Sequence, residues 1–214
     1  MIEFPDSTRV GRRIPKEAFY RNLPISASLK AKFVSDVEKI TIENSLQNKS
    51  LNLVKKAEIK EIMLLSVLLK KKNFDGKILE AIAKQNPHKL VFLLVYEDQR
   101  QLAIYHRKLY KTDWAREDEL ELKLNGDNLD DIWDDLVRQI AIHSEELLEG
   151  TDKTVDEQLR NQDEIDRLEE KIVKTEKAAR REVQRKKKFE LFEKLKGYKK
   201  ELEEIKVQYK NLCK

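Results

Sequence analysis

Cysteine, glycine and proline are scarce in this chain, and each shortage excludes a class of structure or site. The 214 residues include 1 Cys, 5 Gly and 4 Pro. Because Cys213 has no partner in the chain, we exclude an intramolecular disulfide framework and a thiolate metal cluster, and we expect a reducing, cytoplasmic location. The glycines are too scattered to form a phosphate-binding loop. So few helix breakers favour long helices.

Long apolar runs are missing as well. No segment approaches the roughly 18 consecutive apolar residues of a membrane-spanning helix, so no membrane association is expected. The opening segment, MIEFPDSTRV, contains no apolar core of a signal peptide. The histidines, His88, His106 and His143, are far apart in the sequence and form no metal-ligand pair, so we predict no metal and no cofactor.

What the chain has in abundance is charge, which accounts for 39% of its residues. The net charge of +4 is too small to identify a partner, but its distribution is uneven. Residues 151–214 contain 19 Lys or Arg and 15 Asp or Glu, whereas residues 1–150 contain 25 of each kind. Together with a change in hydrophobic pattern near Gly150, this predicts a domain at 1–150 and a separate helical segment at 151–214.

The pattern of residues 1–150 predicts an α+β domain, a mixed sheet with one β–α–β crossover and flanking helices. Two short continuous apolar runs, EIMLLSVLLK and KLVFLLVY, are typical of strands that are buried on both faces. Between them, ILEAIAKQ has helical spacing, and a helix between two such strands implies a parallel crossover. Other segments predict helices at 15–22 and after Ser26 or Ser28, a strand at 37–46, strands in QLAIYHRKLY and ELELKLNG, and a final helix that Asp127 caps.

The C-terminal segment has the heptad spacing of a coiled coil, which we predict to be an arm for binding a partner or a second copy of the chain. Its two series of apolar residues are out of phase, because the 30 residues from Ile165 to Leu195 leave an offset of about 120°. Either the helix breaks between the series or each series faces a different neighbour, which favours a hairpin or two separate contacts. The predicted interface residues are Ile165, Leu168, Ile172, Leu191, Leu195, Tyr198, Leu202, Ile205, Tyr209 and Leu212.

A basic run, RREVQRKKK, lies at residues 180–188 between the two series. On a continuous helix, Arg181, Arg185 and Lys188 would lie on one face. Such a face can contact nucleic-acid phosphates without reading bases, or it can simply be solvated. The predicted nucleic-acid-binding residues are Arg180, Arg181, Arg185, Lys186, Lys187 and Lys188.

Several motifs occur in an order that points to a family. They are GRRIPKEAFY, ILEAIAKQNPHKLVFLLVYED, LYKTDW, LDDIWDDLVRQIA and KKKFELFEKLKGYKKELEEI. In this order they resemble the uncharacterised prokaryotic family DUF4391, a domain of unknown function, over nearly the whole chain. The resemblance implies no activity and no catalytic residues. It does imply a context, since members look like companions of helicase-type ATPases and DNA methyltransferases in restriction-like or anti-phage gene clusters.

Three functions follow from these observations. The first is a non-catalytic accessory or adaptor subunit that binds a helicase-type ATPase or a DNA methyltransferase through its coiled-coil arm. The second is a nucleic-acid-binding module that uses residues 180–188. The third is a PD-(D/E)xK-type nuclease, active or degenerate, with Glu97 and Asp98 as its acids. The third has the least support, because no lysine accompanies these acids and a turn explains them better.

The arginines of the first motif need a separate explanation. Arg12 and Arg13 precede Pro15, which suits the first position of a helix. Cations are unfavourable near the start of a helix, because the helix dipole is positive there. We therefore expect Arg12 or Arg13 to pair with an acid of the acidic block 113–150.

Overall fold

The computed structural model describes residues 2, 4–22, 25–144 and 153–211, without the side chains of residues 20–22 and 208–211. The chain forms two compact units, Met1–Ala141 and Ile142–Lys214, which we call unit 1 and unit 2. In the described part of the chain, no helix is both long enough and apolar enough to cross a membrane.

Unit 1 is built on a mixed sheet with seven strands. The strands are β1 (Arg9–Ile14), β2 (Val37–Leu46), β3 (Ile62–Leu69), β4 (Lys89–Tyr96), β5 (Gln99–His106), β6 (Lys108–Lys111) and β7 (Ala115–Arg116). The first six are neighbours in sequence order, and β7 pairs with β5. The helices of this unit are α1 (Lys16–Asn22), α2 (Ala27–Asp36), α3 (Lys77–Gln85) and α4 (Leu129–Ala141).

The predicted crossover is confirmed. Strands β3 and β4 are parallel, with Leu65 opposite Phe92, and α3 connects them. The predicted cap of α2 is also found, because Ser26 Oγ accepts the N–H of Leu29 at 3.1 Å. A hydrophobic core combines buried residues of α2 and α3 with buried residues of the sheet. Its members include Phe33, Ile40, Ile42, Leu65, Val67, Leu79, Ile82, Phe92 and Leu94.

Helix α4 buries an apolar stripe in unit 1 and contacts β5 and β6. The cap of this helix is Asn128, whose Oδ1 accepts the N–H groups of Asp130 and Asp131 at 2.8 and 3.0 Å. The prediction of Asp127 as the cap is therefore wrong by one residue, and the Asp127 carboxylate instead pairs with Lys55 at 2.5 Å. The buried residues of α4 are Leu129, Ile132, Trp133, Leu136, Val137, Ile140 and Ala141.

The arginines before α1 belong to an edge strand that the sequence did not predict. Among the described strands, β1 pairs only with β2, and the backbone irregularity between Arg9 and Arg12 includes Gly11 at a φ of +61°. Arg12 and Arg13 are exposed and form no ion pair with any described residue. The described residues include 113–144 of the acidic block. The predicted pairing does not occur with residues 113–144, and residues 145–150 of the block lie outside the described residues. Backbone hydrogen bonds to β2 hold both arginines at the edge of the sheet.

Two strand predictions also need correction. QLAIYHRKLY forms a tight hairpin of β5 and β6 rather than one strand, because Arg107 adopts a φ of +65° and reverses the chain. ELELKLNG is not a strand of the sheet and contributes only an isolated bridge between Leu122 and Ile2. Leu120 and Leu122 are nevertheless buried, so the alternation of the sequence predicted burial correctly but not pairing.

The described residues of unit 2, 142–144 and 153–211, include two helices of 27 residues each, α5 (Val155–Arg181) and α6 (Arg185–Asn211). Thr154 caps α5 in a reciprocal capping box with Glu157. The two helices contact each other and form a helical hairpin. The out-of-phase apolar series are thus explained by a helix break at residues 182–184.

Candidate nucleic-acid interface

The turn of the helical hairpin lies in the middle of the basic run. Helix α5 ends at Arg181, and the N–H of Glu182 still bonds to the carbonyl of Ala178 at 3.0 Å. The side chain of Glu182 then accepts the N–H of Gln184 at 2.8 Å, and α6 begins at Arg185. Arg181 and Arg185 therefore belong to different helices, and the single helical face that the sequence predicted for them does not exist.

Side-chain contacts show that α5 and α6 are antiparallel. Lys199 Nζ lies 2.8 Å from Glu176 Oε1, and Lys206 Nζ lies 3.6 Å from Glu169 Oε1. The hydrogen bond from Lys199 holds the pKa of Glu176 below its usual value. These two pairs set which residues of α5 and α6 lie opposite each other. The turn at residues 182–184 therefore forms one end of the hairpin.

The predicted apolar interface residues are buried or half-buried where the structure describes them. Ile165, Leu168 and Leu195 are buried. Tyr209 and Leu212 lie outside the described side chains. The half-buried members are Ile172, Leu191, Tyr198, Leu202 and Ile205. Burial at this spacing indicates that both series form the seam between the helices, which we call the hairpin seam.

The six predicted nucleic-acid-binding residues lie together at the turn, and we call them the basic tip. None of them forms an ion pair with another described residue. Arg180 and Arg181 end α5, where the helix dipole favours cations. The other four open α6, where the dipole disfavours them and the first turn contains no acid. The basic tip is defined as Arg180, Arg181, Arg185, Lys186, Lys187 and Lys188.

Exposed apolar side chains accompany the basic tip, and the sequence did not predict them. Val183 in the turn is 90% exposed, Phe189 is 65% exposed and Phe192 is 49% exposed. Phe192 adjoins Leu191 in the sequence, so hydrophobicity alone could not distinguish the ring that faces solvent from the side chain in the hairpin seam. The signal that could have found them is the heptad phase, because neither phenylalanine belongs to the apolar series.

Unit 1 brings two of the three histidines together. His88 and His106 line one cleft with Asp134, and His88 Nδ1 lies 3.3 Å from Glu61 Oε2. Burial raises the pKa of Asp134. No group of three or more His, Cys, Asp or Glu among the described residues is placed to hold a metal ion. His143 belongs to unit 2 and is not part of this cleft.

The acids of the nuclease hypothesis form a turn. Tyr96 pairs with Gln99 across β4 and β5, so Glu97 and Asp98 are the two residues that connect the strands. Glu97 has a φ of +51°, as tight hairpin turns require. This geometry explains both acids without a role in metal binding.

A cavity of about 610 Å³ lies in unit 1, but its charged groups largely compensate one another. Arg100 Nη2 lies 3.0 Å from Glu117 Oε2. Glu43 accepts a hydrogen bond from Ser66. Because both charge signs share one rim, the cavity shows no preference for an anion or a cation, and the basic tip is the stronger candidate site.

One protein family matches the chain, described as Domain of unknown function (DUF4391), and the match covers residues 2–202. The chain belongs to this family. No curated protein and no solved structure matches the chain at a significant level.

Proposed function

We propose that this protein is a non-catalytic accessory subunit of a helicase- or methyltransferase-containing restriction-like anti-phage system, acting in the cytoplasm. The basic tip would hold nucleic acid, while the partner enzyme performs recognition and chemistry. The partner class comes from the family resemblance of the sequence, and the nucleic-acid contact comes from the charge of the tip.

The observation that carries the proposal is the placement of four cations in the first turn of α6. Arg185 and Lys186–Lys188 repel one another and the positive end of the helix dipole. No described acid pairs with them. A polyanion at the tip would relieve both repulsions, because helix N-termini and basic side chains both attract phosphate.

Binding of this kind follows the phosphate backbone and does not read sequence. Each phosphate contact lowers the slope of log K against log salt by about 0.9 on duplex DNA, and non-specific dissociation constants are about 10⁻⁴–10⁻⁶ M at physiological salt. Binding in this affinity range would help to hold nucleic acid near a larger partner enzyme, while the partner enzyme alone would determine which sequence is recognised.

The test replaces Lys186, Lys187 and Lys188 with Glu and compares duplex DNA binding by fluorescence anisotropy over a salt series. We expect the variant to lose measurable binding, because three phosphate contacts are removed and three like charges are added. The matched control replaces Lys174, Lys177 and Lys194 with Glu, which makes the same charge change on exposed helix positions away from the turn. Equal losses in both variants would show that net charge, and not the basic tip, controls binding.

A second candidate function is a pure adaptor in which the hairpin binds the partner protein. It is favoured by exposed apolar residues on the flank of the hairpin, such as Val173, which is 49% exposed. Co-purification with the ATPase or methyltransferase encoded beside this protein distinguishes the two candidates. Loss of the partner in the Lys186–Lys188 variant, with DNA affinity unchanged, would favour the adaptor.

A further inference from the structure

We infer that the hairpin tip binds single-stranded nucleic acid, with bases stacked on Phe189 and Phe192. This inference rests on the proposed function, because the basic tip supplies the phosphate contacts. Phe189 directly follows Lys188, the last lysine of the tip, and is 65% exposed, and Phe192, three residues later, is 49% exposed. Large exposed rings are costly in water, so two of them beside an unpaired cationic cluster indicate a bound ligand.

The rings share one face of α6 with cations at both ends. Arg185, Phe189, Phe192 and Lys196 follow one another at steps of four, three and four residues, which align them on a helix. At about 100° per residue, this face lies about 130° around α6 from the centre of the hairpin seam. The stripe therefore points away from α5 and is open to a ligand.

The chemistry of the stripe fits an unpaired strand better than a duplex. The rings are three residues apart, or about 4.5 Å along the helix axis. At this separation, two nucleotides of an unpaired strand can each stack a base on one ring. Bases of a duplex are already stacked and paired, so only a single strand can present base faces to the rings while its phosphates meet the cations. A helicase-type partner is the class of enzyme that produces such strands.

The test replaces Phe189 and Phe192 with Ala and measures anisotropy with two labelled probes, an oligothymidylate strand of about 30 nucleotides and a duplex of the same length. We expect the affinity for the single strand to fall by about tenfold or more, while the affinity for the duplex and the salt slope stay unchanged. The matched control replaces Val173 and Val207 with Ala, which removes exposed apolar groups elsewhere on the hairpin. Circular dichroism confirms that each variant keeps its helices.

An abasic strand with the same number of phosphates isolates the stacking contact. The wild-type protein should bind it as weakly as the Phe189→Ala, Phe192→Ala variant binds the normal strand, and the variant should not distinguish the two strands. A Phe189→Leu, Phe192→Leu variant should behave like the alanine variant, since leucine keeps apolar area but cannot stack. Full affinity in the leucine variant would overturn base stacking.

The outcomes separate this inference from the proposed function. Unchanged single-strand affinity in the alanine variant, with salt-dependent binding retained, would overturn the stacking contact and leave phosphate binding intact. No binding of wild-type protein to either probe would overturn both. Loss of a co-purifying partner protein in the alanine variant, with nucleic-acid affinity unchanged, would assign the rings to a protein interface instead.

Discussion

Asp36 is the clearest example of a charged residue that the fold requires. It ends α2, is 1% exposed, and accepts hydrogen bonds from Lys71 Nζ at 2.7 Å, from Ser35 Oγ and from the N–H of Asp75 at 3.4 Å. Burial raises the pKa of Asp36, but the hydrogen bonds outweigh burial and hold the pKa below its usual value. The carboxylate therefore joins the end of α2 to the loop before α3.

We expect Asp36→Asn to lower the free energy of unfolding by about 1–3 kcal/mol at neutral pH, since it removes a buried charged acceptor. The pKa of Asp36 is lower in the folded protein than in the unfolded chain. The contribution of Asp36 to folding stability is therefore complete above the usual aspartate pKa and is lost as pH falls through the pKa of the folded state. The difference between wild type and variant should thus shrink in acid. Urea unfolding followed by tryptophan emission at several pH values checks this, with the exposed Asp113→Asn as control. A constant difference at all pH values would contradict it.

At the scale of elements, the hairpin seam makes a separate prediction. Leu195→Asp with Leu202→Asp places two charges in the seam, and we expect a loss of about 2–5 kcal/mol in the stability of the hairpin. Helical circular dichroism should melt at a lower temperature in this variant. Trp114 and Trp133 are the only tryptophans of the sequence, and both lie in unit 1. The thermal unfolding transition that their emission reports should therefore occur at the same temperature as in the wild type.

The control for the seam is Val173→Asp with Val207→Asp, which introduces the same two charges at half-exposed positions of α5 and α6. If tryptophan emission changes together with helicity in the Leu195, Leu202 variant, then the hairpin and unit 1 unfold as one cooperative unit.

The elements that the sequence predicted correctly are those whose local pattern and tertiary role agree. Strands β3 and β4 are continuous apolar runs, so burial on both faces could be read directly. Strand β1 has exposed residues at most positions and is held by backbone bonds to β2, which leave no hydrophobic pattern in the sequence. The turn at Arg107 depends on a positive φ in a residue type that rarely adopts one.

The candidate site was partly predictable for a similar reason. The heptad phase predicted a discontinuity between Ile165 and Leu195, and the structure places the helix break there. It could not show that Arg181 and Arg185 lie on opposite sides of a turn, because charged residues fit a helix and its ends equally well. Exposure of Phe189 and Phe192 depends on which side α5 occupies, which only the packed hairpin determines.

At the scale of the whole molecule, the edge of the sheet that β1 forms leads to a prediction about self-association. Arg9, Arg12 and Arg13 are exposed on β1, and the irregularity at Gly11 interrupts its pairing. Charges and bulges of this kind prevent two sheet edges from joining. We expect Arg12→Val with Arg13→Val to self-associate, as an increase in mass measured by light scattering during size exclusion.

The edge-strand control is Arg12→Lys with Arg13→Lys, which keeps the charge and should stay at the mass of the wild type. Unchanged mass in the valine variant would show that Gly11 alone is enough to protect the edge.

The length of the two hairpin helices sets the distance between the turn and the open end of the hairpin. Each of its helices has 27 residues, so the turn lies about 40 Å from the open end, a distance of about 12 base pairs of duplex. Removing one heptad from each helix at the same level would shorten this distance by about 10 Å and rotate the seam by only about 20°. Under the proposed function, the distance between a strand bound at the basic tip and the open end of the hairpin would change in steps of about three base pairs, while the residues of the tip stay the same.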